Sequence, residues 1–148
     1  MAKIPAIEQS YYYAVPVAKV FAALTKPAVL TQWFLAAAQI DPEKGGSFRF
    51  TWRGGYTMKG KVKTFEPPRK VAYQWLDRRG KGKVFETLVR FELRKKGKGT
   101  VLKLTHKGFR SSKEWIELYG RIQSGWAYFL VNLRSVLEHG TDLRLPGD

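Results

Sequence analysis

The 148-residue sequence contains no cysteine. That excludes disulfides, a thiol nucleophile and any cysteine-held metal, and leaves a reducing compartment unremarkable. Histidine is nearly as scarce, with only His106 and His139. Asp and Glu together number 12 and show no paired spacing, so a carboxylate metal site has no visible framework, and neither a metal nor a cofactor is expected. A Gly-x-Ser-x-Gly elbow is missing, which removes the commonest serine-hydrolase signature. Gly55 to Lys61 does match the G-x-x-x-x-G-K spacing, but Val62 takes the hydroxyl position and the stretch reads as hairpin and strand, so nucleotide hydrolysis is excluded. Long apolar runs are also lacking: the longest, such as Trp33 to Ala38, are six residues, far short of a membrane span. The first ten residues have no apolar centre of a signal peptide. A cytoplasmic protein with no membrane span is expected.

What is present is enough for one domain over residues 1–148, with 44% apolar and 14% aromatic residues. The longest helical pattern runs from Ser112 to His139. Trp115, Leu118, Tyr119, Ile122, Trp126, Phe129, Leu130, Leu133 and Leu137 recur every three or four residues and make one apolar stripe. Lys113, Glu117, Arg121, Gln123, Asn132 and Arg134 occupy the wet face. Ser111 with Glu114 fits a capping box and Gly140 a left-handed C-cap. Such a helix is roughly 42 Å long, so only a full sheet can cover its stripe. Gly125 falls on that stripe beside Trp126, where a missing side chain either lets a strand come close or leaves an opening.

Upstream, Ile7 to Val15 reads as a strand, Val17 to Thr25 as a helix after Pro16, and Ala28 to Trp33 as a second short helix after Pro27. From Gln39 to His106 the period changes to two, with turn signals at the spacing of an antiparallel meander. Ser47–Trp52, Tyr56–Glu66, a strand through Val71, Tyr73 and Trp75, Val84–Arg94 and Thr100–His106 each alternate apolar with polar or basic residues, with turns at Gly54-Gly55, Gly80 and Gly82, and Gly97 and Gly99. One face should pack on the helix while the other meets water. The architecture is therefore α+β: a curved antiparallel sheet of about six strands following two short helices, gripping one long C-terminal helix.

Particular motifs sharpen this. The stretch Val15 to Pro27, VPVAKVFAALTKP, is followed by Gln32-Trp33-Phe34. Then come Gly45-Gly46-Ser47-Phe48-Arg49, Gly60, Pro67-Pro68-Arg69-Lys70-Val71 leading to Trp75, Thr100 with Leu102 and Leu104, His106-Lys107-Gly108-Phe109, and Gly125-Trp126. In order and spacing these resemble the START-like (SRPBCC) superfamily, and within it the branch named for the activator of the heat-shock-protein-90 ATPase. The likeness covers residues 7 to 138. Ala18 stands where that family usually carries an acidic residue. The separate chaperone-engaging domain of the eukaryotic activator has no counterpart in these 148 residues, so the family name does not carry that activity over.

The resemblance implies a helix-grip fold and a cavity between sheet and long helix that takes a small hydrophobic molecule. The positions that would line it are Trp33, Phe50, Met58, Tyr73, Trp75, Trp115, Tyr119 and Ile122: flat aromatic walls, an adaptable methionine, and phenols able to orient a ligand. The same residues serve equally well as plain core. His106, with the inward parity of Leu104, joins the candidates as a polar anchor, a proton donor or a satisfied structural histidine. The leading expectation is a non-catalytic ligand-binding or regulatory domain with a closed apolar cavity on the order of a few hundred Å³.

Charge gives the second expectation. The net charge is +15, from 27 Lys and Arg, and 17 basic against 4 acidic residues lie between Lys59 and Arg110. Lys59, Lys61 and Lys63 share an outward strand face, Lys103 has the outward parity of the last strand, and the turns at 78–83 and 94–98 are basic. A positive sheet face suits an acidic protein partner, in the manner of a co-chaperone in the stress response. Nucleic acid is not expected, because exposed aromatics do not interleave with the lysines. A cyclase- or hydratase-type enzyme, with His106 or a tyrosine as acid, is the third reading.

Overall fold

The computed structural model describes residues 4–79 and 82–148. The elements follow as β1 (Ile7–Tyr13), α1 (Val17–Thr25), α2 (Pro27–Trp33), β2 (Ala37–Ile40), β3 (Ser47–Thr51), β4 (Thr57–Glu66), β5 (Lys70–Arg79), β6 (Lys83–Lys96), β7 (Gly99–Lys107) and α3 (Lys113–His139). Seven strands form one sheet in the order β1-β7-β6-β5-β4-β3-β2, and every neighbouring pair is antiparallel. β1 and β2 are thus opposite edges, bridged by α1 and α2. This curved sheet with α3 on its inner face is the α+β helix-grip arrangement.

Alternation sets the faces. Phe85, Thr87, Val89, Phe91 and Leu93 of β6 are all buried, as are Leu102, Leu104 and His106 of β7, while Lys59, Lys61 and Lys63 of β4 are exposed. From α3, Trp126, Leu130 and Leu133 enter the same core. Full burial of Leu130 and Leu133 contributes about 2 kcal/mol each relative to leaving them in water. Gly140, with φ 70°, ends the helix in the left-handed conformation as its position suggested.

Several details depart from the sequence reading. The helix is capped by Ser112, whose hydroxyl accepts from the Trp115 N–H at 3.2 Å, one residue later than the expected cap; Glu114 instead pairs with Lys83 at 2.6 Å. β2 is a four-residue edge strand in which Ala38 lies opposite Phe50 and Ile40 opposite Phe48, hidden in sequence because alanine favours helices over strands. Asn132, placed on the wet face, is buried. It donates to Trp33 O at 2.9 Å and accepts from the Leu143 N–H at 2.7 Å, because residues 141–148 fold back over that side of α3. The expected turn through Gly80 and Lys81 lies outside the described residues.

The sheet also parts on its outer side. β4 pairs with β5 from Val62 to Glu66 only, opposite Tyr73 to Lys70, while its first half, Thr57 to Lys61, pairs with β3. Past Val62 the seam is bridged by side chains. The Lys61 N–H donates to Gln74 Oε1 at 3.1 Å, and the Tyr56 hydroxyl donates to Leu76 O at 2.9 Å and accepts from the Arg78 N–H at 3.1 Å. Each such bond takes the place of a ladder bond that the diverging backbones can no longer make.

Candidate functional site

Between the middle of α3 and the sheet lies a cleft of about 130 Å³ lined by Phe34, Trp52, Trp75, Ile122, Gly125, Trp126 and Phe129. Its walls hold one another at aromatic contact distances. Phe34 meets Phe129 edge-on at 4.9 Å and Trp126 at 5.3 Å, and Trp52 stands edge-on to Trp75 at 5.8 Å. Interlocked rings of this kind are rigid walls with an apolar face. Gly125 borders the cleft, and a side chain there would begin in open space, with no neighbouring atom within 4 Å. Of the two readings of Gly125, opening rather than close strand approach is the one observed.

Behind the cleft the wall is polar in one place. The Trp126 indole N–H donates to His106 Nδ1 at 2.9 Å, and His106 Nε2 lies 2.7 Å from Thr87 Oγ1. An indole nitrogen only donates, so Nδ1 is bare and the ring proton sits on Nε2, directed at the Thr87 hydroxyl. His106 is fully buried, and burial lowers its pKa from the ordinary 6.5 to about 3. The ring is therefore neutral at pH 7, with both nitrogens engaged, Nδ1 by Trp126 and Nε2 by Thr87.

The sequence profile of the family described as "Activator of Hsp90 ATPase homolog 1-like protein" matches residues 14–138. The chain belongs to this family, and through it to the START-like (SRPBCC) superfamily. A protein from Mesorhizobium loti superposes on this activator-family chain with a TM-score of 0.81 at 25% identity, over 93% of this chain and 99% of the other. An HSP90 activator from Plasmodium falciparum does so at 0.74 and 27%, over 90% and 96%. The solution structure of the Aha1 dimer from Colwellia psychrerythraea gives 0.75 and 22%, over 93% and 99%, a likeness of fold. No curated protein sequence matches.

In this member of the activator family, the aromatic and aliphatic candidates named from sequence separate into three groups. Trp75 and Ile122 stand on the cleft wall, while Trp115 and Tyr119, half-buried, pack farther along α3 against Phe109 at 6.3 and 4.9 Å. Trp33, Phe50, Met58 and Tyr73 lie in the closed core behind. The polar tips of Trp33 and Tyr73 are committed to the end of α1: the Trp33 indole donates to Ala23 O at 2.8 Å and the Tyr73 hydroxyl to Leu24 O at 2.7 Å. These are carbonyls that a helix C-terminus leaves without intrahelical partners. Burial holds the Tyr73 hydroxyl well above its usual pKa. Among the described residues, the cleft at α3 is smaller and more open than the expected closed chamber of several hundred Å³, with side chains from α2, β3 and β5 packed behind it. Phe34, Trp52, Trp126 and Phe129 complete the wall. Trp126 and Phe129 were legible from the helix stripe, whereas Phe34 needed the knowledge that its neighbour Trp33 turns toward α1.

On the opposite side of the sheet, Lys59, Lys61, Lys63 and Lys103 are all exposed. Lys61 Nζ donates to Ser47 Oγ at 2.9 Å, and Lys103 lies 3.9 Å from Glu8. Among the described residues, no helix is long and apolar enough to cross a membrane.

Proposed function

We propose that this chain is a non-catalytic ligand-binding module whose cleft at Gly125 takes a small, flat, apolar molecule. The observation that supports this most strongly is the empty space at a glycine in the middle of a helix, bordered by five aromatic rings. Closing it would bring contact energy, and glycine costs about 1 kcal/mol of helix stability relative to alanine. About 130 Å³ suits a one- or two-ring body, since a 150 Å³ apolar cavity holds benzene. The test is Gly125→Leu, which is expected to weaken binding of indole at least tenfold in calorimetry. It is also expected to abolish retention of any co-purifying apolar molecule seen by native mass spectrometry of the wild type. Unchanged indole affinity in the variant would remove the cleft as the site.

A second reading, in which an acidic protein partner meets the basic outer face, is favoured by the exposure of Lys59, Lys61 and Lys63 on one strand face. Steered by charge, such a partner should be lost from pull-downs when all three are changed to Glu. An identical set of captured proteins would discredit it.

A further inference from the structure

Where β4 and β5 part, the outer face of the sheet carries a groove of about 710 Å³ that is separate from the aromatic cleft. Ile40 at the end of β2 and Leu76 of β5 are among its lining residues, with Phe48 and Gly60 between them; the Phe48 side chain itself is buried in the core. Glycine is required at that point: a Cβ on residue 60 would lie 2.7 Å from Phe48 Cε2 and 2.9 Å from Gln74 O. Ile40, Pro42 and Leu76 thus bring apolar surface to a lining that is otherwise largely polar and basic.

The rim has the opposite character. Arg49 and Lys59 are direct cross-strand partners, and Lys61 lies one place along the same face, opposite Ser47. Like charges directly opposed across a sheet oppose folding. None of the three has a carboxylate within 4 Å among the described residues, and Asp41 is the one acidic residue in the lining. Three cations beside this apolar surface form a site that an anion relieves and an apolar body fills.

We infer that this groove binds a small amphipathic anion: an aromatic or alkyl body resting against Ile40 and Leu76, with a single carboxylate or sulfonate head held by Arg49, Lys59 and Lys61. The volume lies within the roughly 300–1,000 Å³ usual for small-molecule pockets. The head group faces solvent-exposed cations, so the interaction weakens with salt.

The experiment titrates the full chain with naphthalene-2-sulfonate and follows backbone amide shifts. Saturable shifts are expected at Lys61, Gln74 and Leu76. Affinity should fall tenfold or more in the double variant Arg49→Gln, Lys59→Gln, and severalfold between 50 and 300 mM salt, with 2-naphthol binding the groove far more weakly. Amide spectra of the variant report directly that its fold is kept. The inference is overturned if the double variant binds equally well, or if the shifts gather instead around Trp126 and Gly125. It is likewise overturned if an octaglutamate peptide shifts the groove while the sulfonate does not, an outcome that assigns the face to an acidic protein. Because the proposed cleft is tested at Gly125, on the other side of the sheet, failure of either site leaves the other standing.

Discussion

Replacing Arg144 with methionine is expected to lower folding stability by about 3 kcal/mol, the order expected when two backbone carbonyls and a partly exposed carboxylate lose a buried charged donor. Only 1% of this side chain is exposed. It donates to Leu35 O at 3.1 Å, to Thr31 O at 3.0 Å and to Asp142 Oδ1 and Oδ2 at 3.0 Å. Those carbonyls flank the end of α2, where a cation also meets the negative end of the helix dipole. Methionine fills the volume but leaves both carbonyls without that donor and removes the main partner of Asp142. The Arg144 guanidinium holds the Asp142 carboxyl well below the usual carboxylate range. Asp142 also receives Arg53 at 2.6 Å and Asn132 at 3.0 Å, so one residue ties the tail, α2, α3 and the β3–β4 hairpin together. In urea denaturation the midpoint should drop by roughly 2 M at a slope of about 1.5 kcal/mol/M. Arg144→Lys, which keeps the charge but not the fork, should recover part of this. A loss below about 0.5 kcal/mol, the level of an ordinary surface substitution, would show that the tail is not docked as described.

Acid is expected to unfold this protein early, through His106. In the folded chain its pKa is about 3, against an ordinary 6.5, so between those values the unfolded chain binds more protons. Stability is therefore complete above about pH 7 and falls as pH drops below 6.5, by about 1.4 kcal/mol per pH unit. Desolvation is the cause, and the Trp126 N–H aimed at Nδ1 blocks the site a second proton would need. Asp142, whose pKa is also lowered, adds its own loss only below about pH 4, near the ordinary carboxylate range. Urea titrations between pH 4.5 and 6 thus isolate the histidine. His106→Gln, less stable at pH 7, should flatten the slope in that window. A wild-type slope near zero there would mean that the ring is hydrated.

The sequence was informative where contacts are periodic. The α3 stripe and the β6 alternation from Phe85 to Leu93 follow from 3.6- and 2-residue repeats, and the turn glycines marked most strand ends. It was uninformative where one side chain does non-local work. Tyr73 has an inward parity that suits a pocket wall, and only the fold reveals that its hydroxyl ends at Leu24. Asn132 looks like surface until the tail returns to it. The seam between β4 and β5 has no periodic signature either, because Gln74 and Tyr56 replace a backbone ladder with side-chain bonds. Of the residues named from sequence for the site, Trp75 and Ile122 line the cleft between helix and sheet. The sequence reading misjudged how much of that space aromatic rings already occupy. The opening itself was visible only as a glycine out of place on an apolar stripe.

The central claim is that the space at Gly125 accepts a small apolar guest. Its most direct test follows the five tryptophan indole N–H signals in a proton–nitrogen correlation spectrum while indole is added. Trp52, Trp75 and Trp126, which wall the cleft, should shift together and saturate, with Trp33, bonded to Ala23 O, unmoved. No movement up to millimolar indole, or shifts at Trp33 and Trp115 that match those at Trp126, would contradict it.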